Sequence, residues 1–237
     1  MSAAILHAYT EGRVLPEPKL SPRHLRVVLG LLREAWGETR GMFDERAHEP
    51  KISTLLKIQL ERCLDRSESL RLLVSGLADD AKTIDHRGEN LGRKPDLHLL
   101  FTSPPNEARR DPLLCEAKVI HEKNGQTIER YLTEGMRRFV DGEYGWIGVD
   151  GLMLAYVRDG STLSDDLAPE LERRAKDKTD PLLTLSVTRT PTPDHLESVH
   201  RREIVVPAAQ GELSPGPISL THLWLDARAA APIGLGT

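Results

Sequence analysis

Two short stretches of this sequence carry residue types that could act together on a phosphate ester. Asp96 opens the apolar run DLHLLF, and Glu116 and Lys118 lie within a second run, LLCEAKVI. Because successive side chains of a β-strand point to opposite faces, Glu116 and Lys118 would lie side by side on one face. If the two runs form neighbouring strands, about 5 Å apart, Asp96 and Glu116 could share a divalent cation. Two carboxylates and a lysine around such a cation could hydrolyse a phosphodiester bond.

The triplet Glu-x-Lys occurs three times, and its surroundings select one copy. The copies at Glu17 and Glu49 contain proline, which fits poorly in a central strand because it cannot donate a hydrogen bond to the ladder. Only the copy at Glu116 ends an apolar run and has a Pro-Asp pair upstream. The alternative interpretation is that Glu116 and Lys118 form an ordinary ion pair on the surface of an edge strand.

Pro95-Asp96, nineteen intervening residues and Glu116-Ala117-Lys118 resemble the motif of the PD-(D/E)XK nuclease superfamily. That superfamily includes restriction endonucleases, recombination nucleases and junction resolvases. The resemblance implies an α/β/α sandwich with a mixed central sheet, a restriction-endonuclease-like core, and metal-dependent hydrolysis of DNA. Asp96 and Glu116 would hold Mg²⁺, with Mn²⁺ as an alternative, helped by the carbonyl of Ala117 or Val119. Lys118 would orient the attacking water and stabilise charge on the scissile phosphate.

The same resemblance suggests two further catalytic residues. Members often carry an acidic residue on a helix before the core sheet, and Glu49 in EPKISTLLKIQL matches that position. Several branches also carry a glutamine, or a Gln/Tyr pair, on the helix after the Glu-x-Lys strand, and Gln126 with Tyr131 resembles this. Glu49 could equally stand at a helix start only because the helix dipole favours an acid there. Gln126 could equally belong to a solvated polar face.

Charge argues against a protein that coats DNA, since 32 Lys and Arg stand against 36 Asp and Glu, for a formal charge of −4. Basic residues nevertheless cluster in sequence around the motif. From this cluster we predict four residues that bind nucleic acid: Arg93, Lys94, Arg130 and Arg137. A local basic lining suits an enzyme that must release its product, or a subunit whose partner supplies most of the grip on DNA.

Length and composition predict one domain, with a core over about 21–160, a C-terminal elaboration over about 161–226 and a flexible tail at 227–237. The two cysteines, Cys63 and Cys115, lack the spacing of zinc or iron-sulfur ligands, and we expect buried thiols. No apolar run approaches the roughly 20 residues that cross a bilayer, so we expect no membrane association and a cytoplasmic protein.

The patterns also predict the elements that must position the motif. Ser21-Pro22 begins an amphipathic helix, a second helix begins near Pro50, and a third follows the motif with Asn124 as its N-cap. Residues 69–78 fit either a short strand or a helical turn. GLMLAYV predicts a buried strand, Ser164 caps a short helix, and the alternating segments LLTLSVTRT and ISLTHLWLDA would extend the sheet or form a smaller second one.

These observations favour a metal-dependent nuclease that acts on DNA, of the kind found in prokaryotic restriction or anti-phage defence. Such an enzyme could work by itself, as a homodimer or with protein partner subunits. The alternative is a catalytically silent nuclease-fold subunit that binds DNA or protein in a larger assembly. Ser198, His200 and Arg201 could bind a phosphate, and His222 could approach them. Their spacing predicts no Ser/His/Asp triad, and we interpret them as residues of the fold.

Overall fold

The computed structural model describes residues 2–13, 15–78, 83–88, 94–102, 112–177, 186–189, 195–208 and 211–228. The helices are α1 (Ser2–Thr10), α2 (Pro22–Thr39), α3 (Glu49–Asp65), α4 (Glu68–Arg71), α5 (Ile128–Arg130), α6 (Arg137–Val140) and α7 (Ala168–Lys176). The strands are β1 (Val74–Leu77), β2 (Leu97–Phe101), β3 (Leu113–Ile120), β4 (Asp150–Val157), β5 (Ser186–Arg189), β6 (Leu196–His200), β7 (Val206–Ala208), β8 (Gly211–Leu213) and β9 (Ile218–Asp226).

The chain is an α/β protein built on a mixed, open sheet. Six strands form the body of the sheet in the order β1-β2-β3-β4-β9-β6, and the short β5 adds a seventh at the edge. β1, β2 and β3 are antiparallel neighbours, whereas β3, β4 and β9 run parallel. β6 lies antiparallel beside β9, β5 lies antiparallel beside β6, and β7 pairs with β8 in a separate hairpin.

Helices cover both faces of this sheet, and each face has its own apolar core. On one face α2 and α3 pack against the odd-numbered side chains of β3, including Cys115 and Ala117. On the other face, residues 128–140 and α7 pack against Leu114 and Ile120 of the same strand. Every residue of β4 is buried, as expected of a strand flanked by parallel neighbours and covered on both faces.

Residues 128–140 form one continuous helix, which we call the site helix. It consists of α5, a π-helical segment (Tyr131–Met136) and α6. Gly135 lies in the π-helical segment and packs directly onto β3, so that a Cβ atom there would lie 2.8 Å from Met153 Cε and 3.3 Å from Lys118 Cγ. The glycine therefore permits the close approach of helix and sheet.

Two helix starts differ from the sequence prediction. Asn124 was expected to cap the site helix, but it ends a short 3₁₀ turn, and the helix begins at Ile128 with Thr127 as its N-cap. The cause is Gly125, whose φ of +70° interrupts the helical path. In the same way Thr162, rather than Ser164, accepts the capping hydrogen bond of the following π-helical segment (Leu163–Leu167), which leads into α7.

Other predicted elements appear where the patterns placed them. Ser21 caps α2 by accepting a hydrogen bond from the His24 amide, with Pro22 as the first helical residue. The ambiguous run at 69–78 contains both alternatives, since it holds most of α4 followed by β1. The segment ISLTHLWLDA forms β9 and joins the main sheet between β4 and β6. Cys63 and Cys115 are both buried free thiols.

Within the described ranges, no helix is long and apolar enough to span a bilayer. Of the predicted flexible tail, Ala227 and Arg228 are described, and the Ala227 amide donates to the Val157 carbonyl. The rest of that tail lies outside the described residues.

Candidate functional site

The candidate site lies where β2 and β3 separate. Their antiparallel pairing ends with Leu97 opposite Cys115, while β3 continues to Ile120. The same register places Asp96, just before β2, across from Glu116. Beyond this point the edge of β3 that faced β2 has no strand partner among the described residues. Its backbone amides must therefore find acceptors elsewhere, because unpaired buried amides are costly.

Two carboxylates supply these acceptors. Asp96 Oδ2 accepts a hydrogen bond of 2.7 Å from the Ala117 amide, and Glu49 Oε2 accepts one of 3.2 Å from the Val119 amide. Asp96 contacts β3 from the position just before β2, whereas Glu49, the first residue of α3, contacts it from that helix. The two acids therefore continue the ladder that β2 leaves unfinished, and both are brought to the motif.

Glu116 and Lys118 lie side by side on the face of β3 beneath the site helix. The Lys118 ammonium lies 2.6 Å from Glu116 Oε1, 3.2 Å from Glu49 Oε1 and 2.8 Å from the carbonyl oxygen of Ala117. Three oxygens that could serve a hard cation thus surround the ammonium. Burial alone lowers the pKa of Lys118, but Glu116 and Glu49 outweigh it and raise the pKa, so the amine is charged.

Asp96 has an altered proton affinity in this cluster. Burial, followed by the negative charge of Glu116, raises the pKa of Asp96 to about 7. The Ala117 amide and the Lys118 ammonium oppose this rise. This repulsion arises because the two carboxylates lie near one another, and a divalent cation between them would relieve it.

Two residues outside the motif hold Glu116, which is only 1% exposed. Arg138 Nη1 donates to Glu116 Oε1 at 2.7 Å, and the Tyr144 hydroxyl donates to Oε2. Burial, and then the Glu116 charge, raises the pKa of Tyr144 well above its usual value. Sequence reasoning missed both partners as site residues. The available signal was that Arg138 belongs to the basic residues that cluster in sequence around the motif.

A cavity of about 250 Å³ opens beside Lys118. The site helix contributes much of its wall, and Gln126 borders it. The cavity is lined by Glu49, Lys118, Val119, Gln126, Arg130, Tyr131, Glu134 and Arg138. Gln126, however, is not on the helix: it precedes the helix, and its backbone pairs with His121. Tyr131 borders the cavity but directs its hydroxyl to His222 Nδ1, 2.8 Å away, so Gln126 and Tyr131 form no pair at the site.

The four predicted nucleic-acid-binding residues are placed unequally. Arg130 borders the cavity and forms two 2.9 Å hydrogen bonds with Glu134. Arg137 is exposed and pairs with Asp141. Lys94 is exposed, and Arg93 lies outside the described residues. The charge of Arg130 is thus partly offset by Glu134 on the same helix, and that of Arg137 by Asp141 just after the helix.

Ser198, His200 and His222 meet in the interior, away from the motif. Ser198 Oγ lies 2.5 Å from His200 Nε2 and 2.7 Å from His222 Nε2, and Tyr131 extends the chain of hydrogen bonds. All four side chains are buried. Burial, followed by the nearby His200, lowers the pKa of His222 to about 3, so the ring is neutral. The group links β6 and β9 to the site helix, which is a structural role.

Among the described residues, no cluster of three or more His, Cys, Asp and Glu side chains could hold a metal ion. The donors available here are two carboxylates, Asp96 and Glu116, and the main-chain carbonyl of Ala117, which already faces a cation in the form of the Lys118 ammonium. Hard oxygen donors of this kind fit Mg²⁺ or Mn²⁺ better than softer metals.

Comparisons of the chain with protein-family profiles, with curated proteins and with solved structures found no match.

Proposed function

We propose that this protein is a metal-dependent nuclease that hydrolyses the phosphodiester backbone of DNA. The observation that carries the proposal is the meeting of Asp96, Glu116 and Lys118 with Glu49 where β2 and β3 separate. These residues come from two neighbouring strands and a preceding helix, as the resemblance to the PD-(D/E)XK superfamily implies. The order helix α3, strands β1 to β3, site helix and β4, with helices on both faces, also supports a restriction-endonuclease-like α/β/α sandwich.

In this proposal Asp96 and Glu116 hold Mg²⁺ or Mn²⁺, together with the Ala117 carbonyl. The bound cation supplies Lewis-acid chemistry, since it neutralises the phosphate and acidifies a water molecule. Lys118 provides an ammonium donor that orients the nucleophilic water and stabilises negative charge on the phosphate. Glu49 keeps Lys118 charged and directed toward the cavity, and Gln126 offers an amide to the substrate.

The enclosure of Glu116 favours a second candidate function. Its carboxylate is buried and already satisfied by Lys118, Arg138 and Tyr144. A protein in which those contacts never open would be a nuclease-fold subunit that binds DNA or protein without cleaving. The two candidates differ in whether the protein cleaves DNA. Only the first predicts cleavage, and it predicts that cleavage requires Asp96 and Lys118.

The test is cleavage of supercoiled and linear DNA by the purified protein with Mg²⁺ or Mn²⁺. We expect Asp96→Ala and Lys118→Ala each to lower the cleavage rate about 100-fold or more, since each removes a group that acts on the transition state. Lys123→Ala is the matched control, because Lys123 is exposed and its loss removes the same charge. Absence of cleavage with every divalent ion would exclude the nuclease, and equal cleavage by all variants would point to a contaminant.

A further inference from the structure

Tyr144 and Arg138 hold Glu116 from fixed positions. Arg138 lies in α6, and Tyr144 lies in the turn that follows, between Gly142 and Gly145, both of which have positive φ. The Tyr144 ring is buried and packs edge-on against Phe139, with ring centroids 5.0 Å apart. The ring is therefore anchored by packing, independently of the hydrogen bond that its hydroxyl donates to Glu116.

Tyr144 and Arg138 bind different oxygens of the Glu116 carboxylate. Tyr144 binds Oε2, while Arg138 and Lys118 both bind Oε1, at 2.7 and 2.6 Å. Arg138 and Lys118 both line the cavity, so the two partners of Oε1 stand between this oxygen and the cavity's other residues. A carboxylate without such partners would rotate, and ordering it on cation binding would cost conformational free energy. Groups that hydrogen-bond a ligating carboxylate commonly set the affinity of a metal site for this reason.

We propose that Tyr144 and Arg138 are positioning residues, which hold the Glu116 carboxylate in one orientation, with Oε1 beside Lys118, and thereby set the affinity of the site for its divalent cation. This inference rests on the proposed function, since it concerns the same site. It adds two residues that the sequence motif does not contain.

Tyr144→Phe tests the proposal most directly, because it removes only the hydroxyl and leaves the packed ring. We expect calorimetry with Mn²⁺ alone to show binding weakened about 10-fold to 100-fold. Cleavage should need correspondingly more Mn²⁺ and should recover toward the wild-type rate at saturating Mn²⁺. Thr39→Val is the control for loss of a buried hydroxyl, since Thr39 is fully buried and its hydroxyl donates to the Ala35 carbonyl within α2, at 2.7 Å. We expect its Mn²⁺ affinity to be unchanged.

A measurement without metal tests the geometry itself. Urea unfolding of Tyr144→Phe, Glu116→Met and the double variant should be non-additive, with the double variant losing less stability than the sum of the two single losses. If Tyr144→Phe does not fold, Arg138→Lys takes its place in both measurements, with the same expected loss of Mn²⁺ affinity.

The outcomes separate the two proposals. A wild-type protein that binds Mn²⁺ and cleaves DNA, with an unchanged Mn²⁺ affinity in the positioning variant and additive unfolding, overturns the positioning role alone. A wild-type protein that binds no Mn²⁺ and cleaves no DNA overturns the proposed function and this inference together.

Discussion

At the scale of single residues, the acids of the site serve the fold as well as the proposed chemistry. Asp96 and Glu49 each accept a backbone hydrogen bond from β3 with one oxygen. Glu49 also directs its second oxygen to the Lys118 ammonium. Replacing such an acid by alanine therefore removes an acceptor from a buried amide as well as a charge. Substitutions that keep the acceptor, such as Asp96→Asn, separate the two roles.

The raised pKa of Asp96 predicts that cation binding depends on pH. Near pH 6 the carboxyl is largely protonated, because burial and Glu116 hold its pKa at about 7, and a protonated carboxyl is a poor ligand. We expect Mn²⁺ affinity to rise up to about tenfold per pH unit below 7 and to level off above it. Calorimetry at several pH values from 6 to 8 measures this.

Asp96→Asn is the control for this pH dependence, because it retains an oxygen for the Ala117 amide but has no proton to lose. Its weaker Mn²⁺ binding should vary less with pH over the same range. A wild-type affinity that stays constant from pH 6 to 8 would contradict the prediction.

At the scale of elements, the site depends on how closely the site helix approaches β3. The π-helical segment places Gly135 over the strand, so that a Cβ atom would meet Met153 and Lys118, with Glu116 Cγ 3.6 Å away. π-Helical turns are frequent at functional sites. Here the segment brings Arg138 and the two motif residues together.

We predict that Gly135→Ala destabilises the protein by about 1 kcal/mol and lowers DNA cleavage, because the added methyl group must displace the fully buried Met153 or the base of Lys118. Urea unfolding and the cleavage assay measure the two effects. Gly30→Ala is the matched control: Gly30 lies in α2, where a Cβ atom would meet nothing within 4 Å. There we expect a gain of about 0.5–1 kcal/mol from helix propensity. A stabilising Gly135→Ala with full cleavage would refute the close approach.

At the scale of the whole molecule, two apolar cores share one sheet, and several polar groups are buried between them. His98 is 3% exposed, and its Nδ1 has no hydrogen-bond partner among the described residues. His98 is two residues after Asp96 and so in phase with it along the strand, a position that fits either a residue that supports the site or a structural histidine. Its orphaned ring nitrogen gives no support to a role at the site.

Buried neutral histidines predict that the fold weakens in acid. Burial, and to a lesser degree Lys57, lowers the pKa of His98 to about 4, against about 6.5 in an unfolded chain. Between about pH 6.5 and pH 4 the His98 ring is protonated in the unfolded chain but neutral in the folded chain. The contribution of His98 to stability is therefore fully present above about pH 6.5 and is lost as the pH falls toward 4.

We therefore expect His98→Leu to reduce the stability lost between pH 7 and pH 4.5 by up to about 2 kcal/mol, since leucine has no proton to bind. Urea unfolding at both pH values measures the difference. His121→Leu serves as a control, because His121 is only partly buried and is linked by its ring to Asn124 at the surface. Equal pH dependence of His98→Leu and the wild type would contradict the prediction.

The sequence by itself determined those features that depend only on residues close together in the chain, such as the side of a strand on which a residue lies and the start of a helix. The two-residue period of a strand put Glu116 and Lys118 on one face, and Ser21-Pro22 started α2. Asn124 and Ser164 were wrong as caps because several nearby residues can cap a helix. At Asn124 the path of the chain through Gly125 decided for Thr127, and at Ser164 the cap is Thr162.

Only the tertiary structure decided which distant residues meet. Glu49 reaches β3 from a helix 70 positions away from Val119 in the chain, because β2 separates from β3 there and leaves amides to satisfy. The same packing encloses Glu116 with Arg138 and Tyr144, and joins Ser198 to His222 and Tyr131. No local pattern encodes these contacts, since each follows from the register of strands and the approach of a helix that the whole fold sets.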